Sequence, residues 1–309
     1  MDRRKFLKSS IGAGIIAGAV GQFGKLSNIL AGTPQEEVKK EFDLVAVKGG
    51  EPDVMFDKGI ASLGGMKSFV KKGQTVCVKP NIGWDKTPEY AANTHPKLVK
   101  RIIESCFEAG ASDVYVFDNT CDEWRGCYEN SGIQKAVEEA GGKLVPGNDE
   151  KYYREVQVPN GKRLKTAKVH EKVLDSDVFI NVPVLKSHGG ARLTISMKNL
   201  MGVVWDRRFW HRNDLHQCIA DYATFERKPD LNVVDCYGVM MQNGPRGVSV
   251  KDVKFFKSLL ISKDMVAVDA AATKLFGMEV DDVSYINIAH EMKVGNKNLD
   301  SLNINRLKV

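Results

Sequence analysis

The chain has 309 residues, of which 43% are hydrophobic and 27% are charged, and its formal net charge is +6. This composition excludes a disordered polypeptide and supplies enough apolar residues for a substantial core. Residues 1–31 contain five Lys/Arg and one Asp, so the remainder holds 40 basic and 38 acidic residues. Because these charges nearly balance, the sequence predicts no nucleic-acid partner.

The N-terminal segment has the features of an export signal. The pattern Asp2-Arg3-Arg4-Lys5-Phe6-Leu7-Lys8 contains twin arginines, and the apolar run 11–20 that follows is too short to span a bilayer comfortably. We therefore expect residues 1–31 to be a signal peptide recognised by the twin-arginine translocation machinery. The chain is then exported across the cytoplasmic membrane, to the periplasm or the cell-surface side, and an uncleaved signal would anchor it there. Residues 32–41 are expected to be a linker, and residues 42–309 a single α/β domain.

The six cysteines are scattered, and no two of them form a C-x-x-C pair. The sequence therefore gives no support for an iron-sulfur cluster or a zinc ribbon in this chain. Cys121 and Cys127 are the closest pair, but free buried thiols and disulfides both remain open at this stage.

Predicted strands and helices alternate in the first half of the chain. Strands are predicted over 42–47, 75–78, 114–117 and 143–145, and helices over 52–70 with a break near Gly64-Gly65, over 96–109 and over 134–140. This alternation is typical of a mainly parallel sheet with crossover helices on both faces. An Asn-Gly turn at 160–161 predicts an inserted β-hairpin near 152–170.

The second half continues the same fold class. Strands are predicted over 178–185, 231–234 and 259–262, with an edge strand at 302–307, and helices over 196–202, 214–224, 265–276 and 281–292. The fold class expected from the whole pattern is α/β.

Polar residues follow four of the predicted strands. They are Lys79 and Asn81, Asp118 and Asn119, Lys186 and His188, and Asp235. Because the carboxyl ends of parallel strands meet at one edge of a sheet, we expect these side chains to share a pocket. Several lysines there would repel one another unless an anion or a carboxylate lay between them.

Further candidates lie in the segments next to these strands. Pro96 suits the first position of a helix, so either Thr94 or His95 is expected to cap that helix. His95 is also a candidate ligand contact at the helix N-terminus. The turn at Gly189-Gly190, together with Lys198 and Asn199, is interpreted as an anion-binding loop. The aromatic and basic run 205–212 is interpreted as a lid over the site, with a membrane-facing edge and a solvated loop as the alternatives. Arg246 is a further candidate for the pocket.

With these residues assembled, the sequence resembles the domain-of-unknown-function family 362, bacterial and archaeal proteins that often carry export signals. The matching pieces are Val78-Lys79-Pro80-Asn81, Thr94-His95-Pro96, residues 181–188, residues 197–202 and Val266-Ala267-Val268-Asp269. The family name itself assigns no activity. Some relatives are joined to iron-sulfur ferredoxin modules, but this chain lacks their four-cysteine runs, so the resemblance implies no cluster here.

Three functions compete at this stage. In the first, the pocket binds or transforms a small carboxylate or phosphate, with His95, Lys186 and His188 as candidate catalytic residues. The candidate ligand-binding residues are Lys79, Asn81, Asp118, Lys198, Asn199, Asp235 and Arg246. In the second, a divalent metal is held by His188, His95, Asp118 and Asp235. In the third, the protein has no catalysis of its own and docks a separate redox partner.

Overall fold

A ten-stranded, mostly parallel sheet runs through the part of the chain that the computed structural model describes, residues 41–309. The predicted signal peptide and all but the last residue of the predicted linker lie outside these residues. Eight strands form its main path, and a hairpin of two further strands extends it on one side. The α/β prediction is confirmed.

The strands have the following bounds: β1 Leu44–Lys48, β2 Thr75–Pro80, β3 Asp113–Val116, β4 Lys143–Leu144, β5 Tyr153–Gln157, β6 Thr166–His170, β7 Val178–Val182, β8 Val184–His188, β9 Arg192–Thr194, β10 Leu231–Met240, β11 Val253–Ser262 and β12 Ile304–Lys308. The helices are α1 Pro52–Ala61, α2 Pro96–Ala109, α3 Trp124–Asn130, α4 Ile133–Glu139, α5 Glu171–Asp175, α6 Ser196–Asn199, α7 Arg208–Arg212, α8 Leu215–Tyr222, α9 Met265–Phe276 and α10 Ser284–Glu291. Short 3-10 turns connect several of them, including Leu200–Val203 directly after α6. The main path of the sheet has the strand order β12-β1-β11-β10-β7-β2-β3-β4, and β8 and β9 extend the sheet beside β10. Strand β11 runs antiparallel to both of its neighbours.

Two apolar cores cover the two faces of the sheet. Alternate residues of β1 divide between them, with Val45 and Val47 in one core and Leu44 and Ala46 in the other. This is the two-residue period of a strand buried on both faces. Helices α1 to α4 pack on the first face, and α5 to α10 contribute to the second. The helices thus cover both faces, as the alternating pattern predicted.

Helix α9 begins and ends at the residues that the sequence predicts, 265 and 276. In α9, the Asp264 carboxylate accepts the N–H groups of Val266 and Ala267, and Gly277 ends the helix at a φ of 100°. A side-chain cap at the start and a left-handed glycine at the end satisfy backbone groups that a helix leaves unpaired. The predicted break near Gly64-Gly65 is confirmed, since α1 ends at Ala61 and both glycines have a positive φ. The helix expected beyond the break is only the 3-10 turn Met66–Ser68.

The predicted strand 178–185 is two strands rather than one. β7 and β8 are separated at Pro183, which lacks the N–H that a continuous ladder would need. β8 then pairs with β10 on one side and forms a hairpin with β9 on the other. Lys186 therefore lies inside β8, and the Gly189-Gly190 turn joins the two strands of that hairpin.

The predicted hairpin near 152–170 is present as β5 and β6, a separate two-stranded antiparallel sheet. Its strands are farther apart in sequence than a two-residue Asn-Gly turn requires, since residues 158–165 form the connection. Val204 pairs with Val169, which ties the segment after α6 to the hairpin.

Candidate functional site

A cavity of about 500 Å³ lies where β2, β8, α6 and the loop after β3 meet. Seven of the predicted site residues line it: Lys79, Asn81, Asp118, Lys186, His188, Lys198 and Asn199. Five lysine and arginine side chains but a single carboxylate, that of Asp118, appear among the residues in its wall. We call this space the basic cavity.

Lys79 is a fully paired cation at the base of this cavity. Its Nζ lies 3.0 Å from Asp118 Oδ1 and donates to Asn199 O and Asn199 Oδ1, each at 2.8 Å. The two charged side chains expose only 1% and 3% of their surface. Burial lowers the pKa of Lys79, and the Asp118 carboxylate opposes that shift. An ammonium has three donors, so Lys79 has none left for a ligand.

Gly202 allows this ion pair to form. A Cβ built at Gly202 would lie 1.9 Å from Asp118 Oδ1 and 2.5 Å from Lys79 Nζ. No other residue type fits that space unless the buried pair separates. The glycine that closes the matching piece 197–202 therefore serves close packing rather than flexibility.

An amide chain connects Lys79 to Lys186. Asn199 Oδ1, which accepts from Lys79, also accepts from Asn81 Nδ2 at 2.8 Å, and Asn81 Oδ1 accepts from Lys186 Nζ at 3.0 Å. The two asparagines thus hold the two lysines at fixed positions. Their hydrogen-bonding groups are directed at protein partners, which makes them positioning residues in this geometry.

Lys186 is a buried lysine with an altered protonation equilibrium. Its Nζ donates to Asn81 Oδ1 and to the backbone oxygen of Ala92, and it is 1% exposed. Burial lowers the pKa of Lys186 to about 7, with the charges of Lys198 and Lys79 acting in the same direction. A neutral amine has two hydrogens, which these two acceptors take, and its lone pair remains available for a proton.

Lys198 differs from both of these lysines. Within residues 41–309 its Nζ makes no hydrogen bond and no ion pair, although the side chain is partly buried in the cavity wall. Burial lowers the pKa of Lys198 to about 8, and Arg207 and Lys79 add to that effect. A desolvated cation without a partner is costly, and an anion would relieve that cost.

Asp269 holds α6, and with it Lys198, in place. Its carboxylate on α9 accepts the N–H groups of Ser196 and Met197 at 2.7 and 3.0 Å, while Ser196 Oγ donates to Asn232 at 2.6 Å. Burial raises the pKa of Asp269 well above its usual value, and the two backbone donors oppose that shift. Asp269 belongs to a matching piece of the family pattern, but no local pattern indicates which backbone N–H groups it caps.

His188 lines the cavity but its Nδ1 is already engaged. That atom accepts the N–H groups of Gly190 and Ala191, at 3.1 and 3.0 Å, across the β8–β9 turn. Burial, followed by Lys198 and Lys186, lowers the pKa of His188 to about 3. The ring is therefore neutral with its proton on Nε2, which makes it a hydrogen-bond donor to the cavity and a poor general base.

His95 and Asp235 lie together in a smaller cavity of about 130 Å³, separate from the basic cavity. Asp235 accepts the backbone N–H of His95 at 2.8 Å, and His95 Nδ1 caps α2 by accepting from Lys97 N at 3.2 Å. The expectation that Asp235 ends a strand at the shared edge is wrong, because β10 continues to Met240. The interpretation of His95 as a helix cap agrees with the structure.

The remaining candidates are Arg246 and the predicted lid segment 205–212, and they differ in their relation to the basic cavity. Arg246 does not join the cluster, since its Nε lies 3.1 Å from Asp122 Oδ2, while the adjacent Pro245 lines the wall. The predicted lid segment does border the cavity through Arg207, Arg208 and His211. Arg207 donates to Asn119 O at 2.8 Å and to Thr120 O at 2.7 Å, and sequence reasoning had not singled it out.

The four residues suggested as metal ligands are divided between the two cavities. His95 and Asp235 share the smaller one, whereas Asp118 and His188 lie in the basic cavity with three lysines. Throughout the described range 41–309, no group of three or more His, Cys, Asp or Glu side chains is arranged to hold a metal ion. The donor set therefore does not fit the divalent metal of the second prediction.

The family relationship follows from a sequence match that contains this site. Residues 76–274 match the family model described as a domain of unknown function, DUF362. The chain belongs to the DUF362 family. The matched range includes Lys79, Lys186, Lys198, Gly202 and Asp269, so the resemblance predicted from the motifs is confirmed.

A relative of this DUF362 chain is the thylakoid-associated protein sll1697 of Synechocystis sp. The two are 28% identical over 243 residues, which span 75% of this chain and 72% of that protein. Among residues 41–309, no helix has both the length and the apolar character needed to cross a bilayer.

Two solved structures are similar to this DUF362 chain at a lower level. A protein of Thermotoga maritima gives a TM-score of 0.45 at 11% identity, covering 74% of this chain and 59% of its own. The lactate racemase apoprotein of Thermoanaerobacterium thermosaccharolyticum gives 0.48 at 10% identity, covering 75% and 56%. The chain thus matches little more than half of either structure, and no role is carried over from them.

Proposed function

We propose that the basic cavity binds a small anion, a carboxylate or a phosphate, and that Lys198 is its principal charged contact. The observation that carries the proposal is the unpaired Nζ of Lys198 in a wall with five lysine and arginine side chains and one carboxylate. Asp118 is already neutralised by Lys79 at 3.0 Å, which leaves an excess of positive charge. Because the cavity is partly desolvated, a bound anion gains more from these charges than it would in water.

Lys186 is the group best suited to move a proton in this site. With a pKa of about 7, it is present at neutral pH in both protonated and neutral forms, as a proton-transfer group requires. The earlier candidates His95 and His188 each use Nδ1 as an acceptor for backbone N–H groups, so neither has the same freedom. Proton transfer to a ligand requires that the ligand binds, so anion binding is tested first.

The binding test compares three purified proteins: the wild type, Lys198→Met and His95→Ala. Phosphate, sulfate and small carboxylates are titrated by calorimetry and by thermal unfolding. A hundredfold excess over the dissociation constant should raise the free energy of unfolding of the wild type by about 2.7 kcal/mol. The His95→Ala protein, altered only in the neighbouring cavity, should keep this response, whereas Lys198→Met should lose it. Absence of binding by every anion, or equal binding in Lys198→Met, would contradict the proposal.

We also propose that the chain is exported through the twin-arginine machinery, as the pattern at Arg3 and Arg4 predicts. Docking of a separate redox partner stays a prediction. Fractionation of cells that express the wild type or an Arg3→Lys/Arg4→Lys variant tests the location. The wild type should leave the cytoplasm and the variant should stay there; the same distribution for both would contradict this route.

A further inference from the structure

Cys121 differs from the other five cysteines in its exposure. All six lie in the described part of the chain, all are free, and Cys121 is the exposed one. Burial raises the pKa of the Cys77, Cys106, Cys127 and Cys218 thiols to about 12, and that of Cys236 well above its usual value. The thiolate form is therefore strongly disfavoured at the five buried positions, and Cys121 is the cysteine that solvent and small molecules reach.

The loop after β3 holds Cys121 in the wall of the basic cavity. Cys121 N donates to Gly83 O at 2.8 Å. The Arg207 guanidinium donates to the carbonyl oxygens of the two preceding residues, Asn119 and Thr120. Arg207 Nη1 also lies 3.4 Å from Cys121 Sγ, within reach of a charge-assisted N–H···S contact. The sulfur is thus fixed at the cavity with a permanent cation beside it.

Two lysines extend this positive environment. Lys198, which has no partner among the described residues, and Lys186 line the same cavity as Cys121. After burial, the attraction of Cys121 is the largest influence on the pKa of each of these lysines, and it raises both values. A partly exposed cysteine surrounded by cations in this way is the usual setting of a nucleophilic thiol.

We propose that Cys121 is the nucleophile of the basic cavity and acts as a thiolate on a small carboxylate whose neighbouring carbon is electrophilic. This inference rests on the proposed function, since Lys198 holds the carboxylate while the sulfur reaches the adjacent carbon. In the step, an electron pair of the sulfur forms the S–C bond. The pair of the broken bond departs with the leaving group, and no oxidant or reductant is needed.

The test compares two alkylating reagents of similar size, iodoacetate and iodoacetamide, on the full chain at pH 7. Both form an S–C bond and release iodide, but only iodoacetate carries the carboxylate that the cavity should attract. Mass spectrometry after brief exposure should find Cys121 modified before the other cysteines. Iodoacetate should react about tenfold or more faster than iodoacetamide, because a cleft lined by one sign of charge raises the local concentration of the opposite ion.

Matched variants separate the contribution of Lys198 to the iodoacetate preference from the reactivity of Cys121 itself. Lys198→Met should remove most of the preference for iodoacetate while Cys121 still reacts with iodoacetamide, and Lys198→Arg should restore part of the preference. Cys121→Ser should abolish the fast phase with both reagents. Prior addition of sulfate should slow the iodoacetate reaction in the wild type.

The outcomes distinguish this inference from the proposed function. If sulfate binds but Cys121 is inert, or reacts no faster with iodoacetate than with iodoacetamide, the nucleophile assignment is wrong and anion binding stands. If no anion binds and the two reagents react alike, both proposals fail. Modification of a buried cysteine ahead of Cys121 would also overturn the assignment.

Discussion

Two lysines in one cavity show how differently a protein can use the same side chain. Lys79 lies on the wall formed by β2 and the loop after β3, where Asp118 and Asn199 take all three of its donors. Lys198 lies on the wall formed by α6, where within the described structure its Nζ has no partner. We call the wall that carries Lys79 the paired wall and the wall that carries Lys198 the open wall.

Some charges in the cavity maintain the fold, and others remain available for a ligand. A buried ion pair is costly to break from either side, so Lys79 belongs to the structure. A partly buried cation without a partner stabilises nothing in the protein, so its presence is better explained by something that binds. Substitutions on the two walls test whether Lys79 and Lys198 differ in this way.

The largest effect is expected at Gly202, on the paired wall. A methyl group from Gly202→Ala would force Asp118 and Lys79 apart, and breaking a buried ion pair costs about 3–5 kcal/mol. Urea unfolding would measure the loss. The matched control is Gly189→Ala, since nothing lies within 4 Å of a Cβ built there. Equal stability of the two variants would show that the pair tolerates separation.

The second largest effect is expected at Lys79, where substitution by Met should lower the stability of the fold, whereas the same substitution at Lys198 should not. Lys79→Met leaves the Asp118 carboxylate buried without its cation and should destabilise the fold by about 3 kcal/mol. Lys198→Met removes an unpaired cation and should leave the free energy of unfolding within about 0.5 kcal/mol of the wild type, or raise it. Denaturant unfolding of the two variants in parallel is the measurement. A comparable loss at both positions would remove the distinction between the walls.

Asp269 supports the open wall, and its removal should have a moderate effect. Asp269→Ala leaves the N–H groups of Ser196 and Met197 without their acceptor, at a cost of about 2 kcal/mol. Because α6 carries Lys198, sulfate binding should weaken as well. Calorimetry on the folded variant would measure that second effect. Unchanged sulfate affinity would mean that α6 keeps its position without this anchor.

The smallest effect is expected outside the basic cavity. His95→Ala removes the side chain that caps α2 and should cost about 1 kcal/mol of stability. Sulfate affinity should not change, since His95 lies in the smaller cavity. A loss of affinity in this variant would indicate that the two cavities act together.

Strand-end reasoning predicted a large part of the basic cavity because it depends on a general property of parallel sheets. The ends of β2 and β3 lie side by side, so Lys79, Asn81 and Asp118 meet as expected. Asp235 did not follow the rule, because β10 continues beyond it as a partner of β8 and β11. The length of a strand depends on such long-range pairing, which local sequence does not contain.

The difference between the two walls was not predictable from residue types. Lys79, Lys186 and Lys198 all follow or join apolar segments, and nothing in their neighbours distinguishes them. Their protonation and pairing depend on distances to Asp118, Asn81 and Ala92, which only the fold establishes. Cys121 and Arg207 were overlooked for the same reason, since one is a scattered cysteine and the other a member of a basic run.

If a protonated Lys198 holds an anion in the basic cavity, sulfate binding should depend on pH. Sulfate keeps its charge between pH 6 and 10, so any change in affinity reports on the protein. The pKa of Lys198 is about 8, and its ammonium is lost as the pH rises through that value. The dissociation constant should therefore increase by about tenfold per pH unit above pH 8, and Lys198→Met should bind weakly with no such break. A dissociation constant that stays constant from pH 7 to 10, or a profile shared by the wild type and Lys198→Met, would contradict the account.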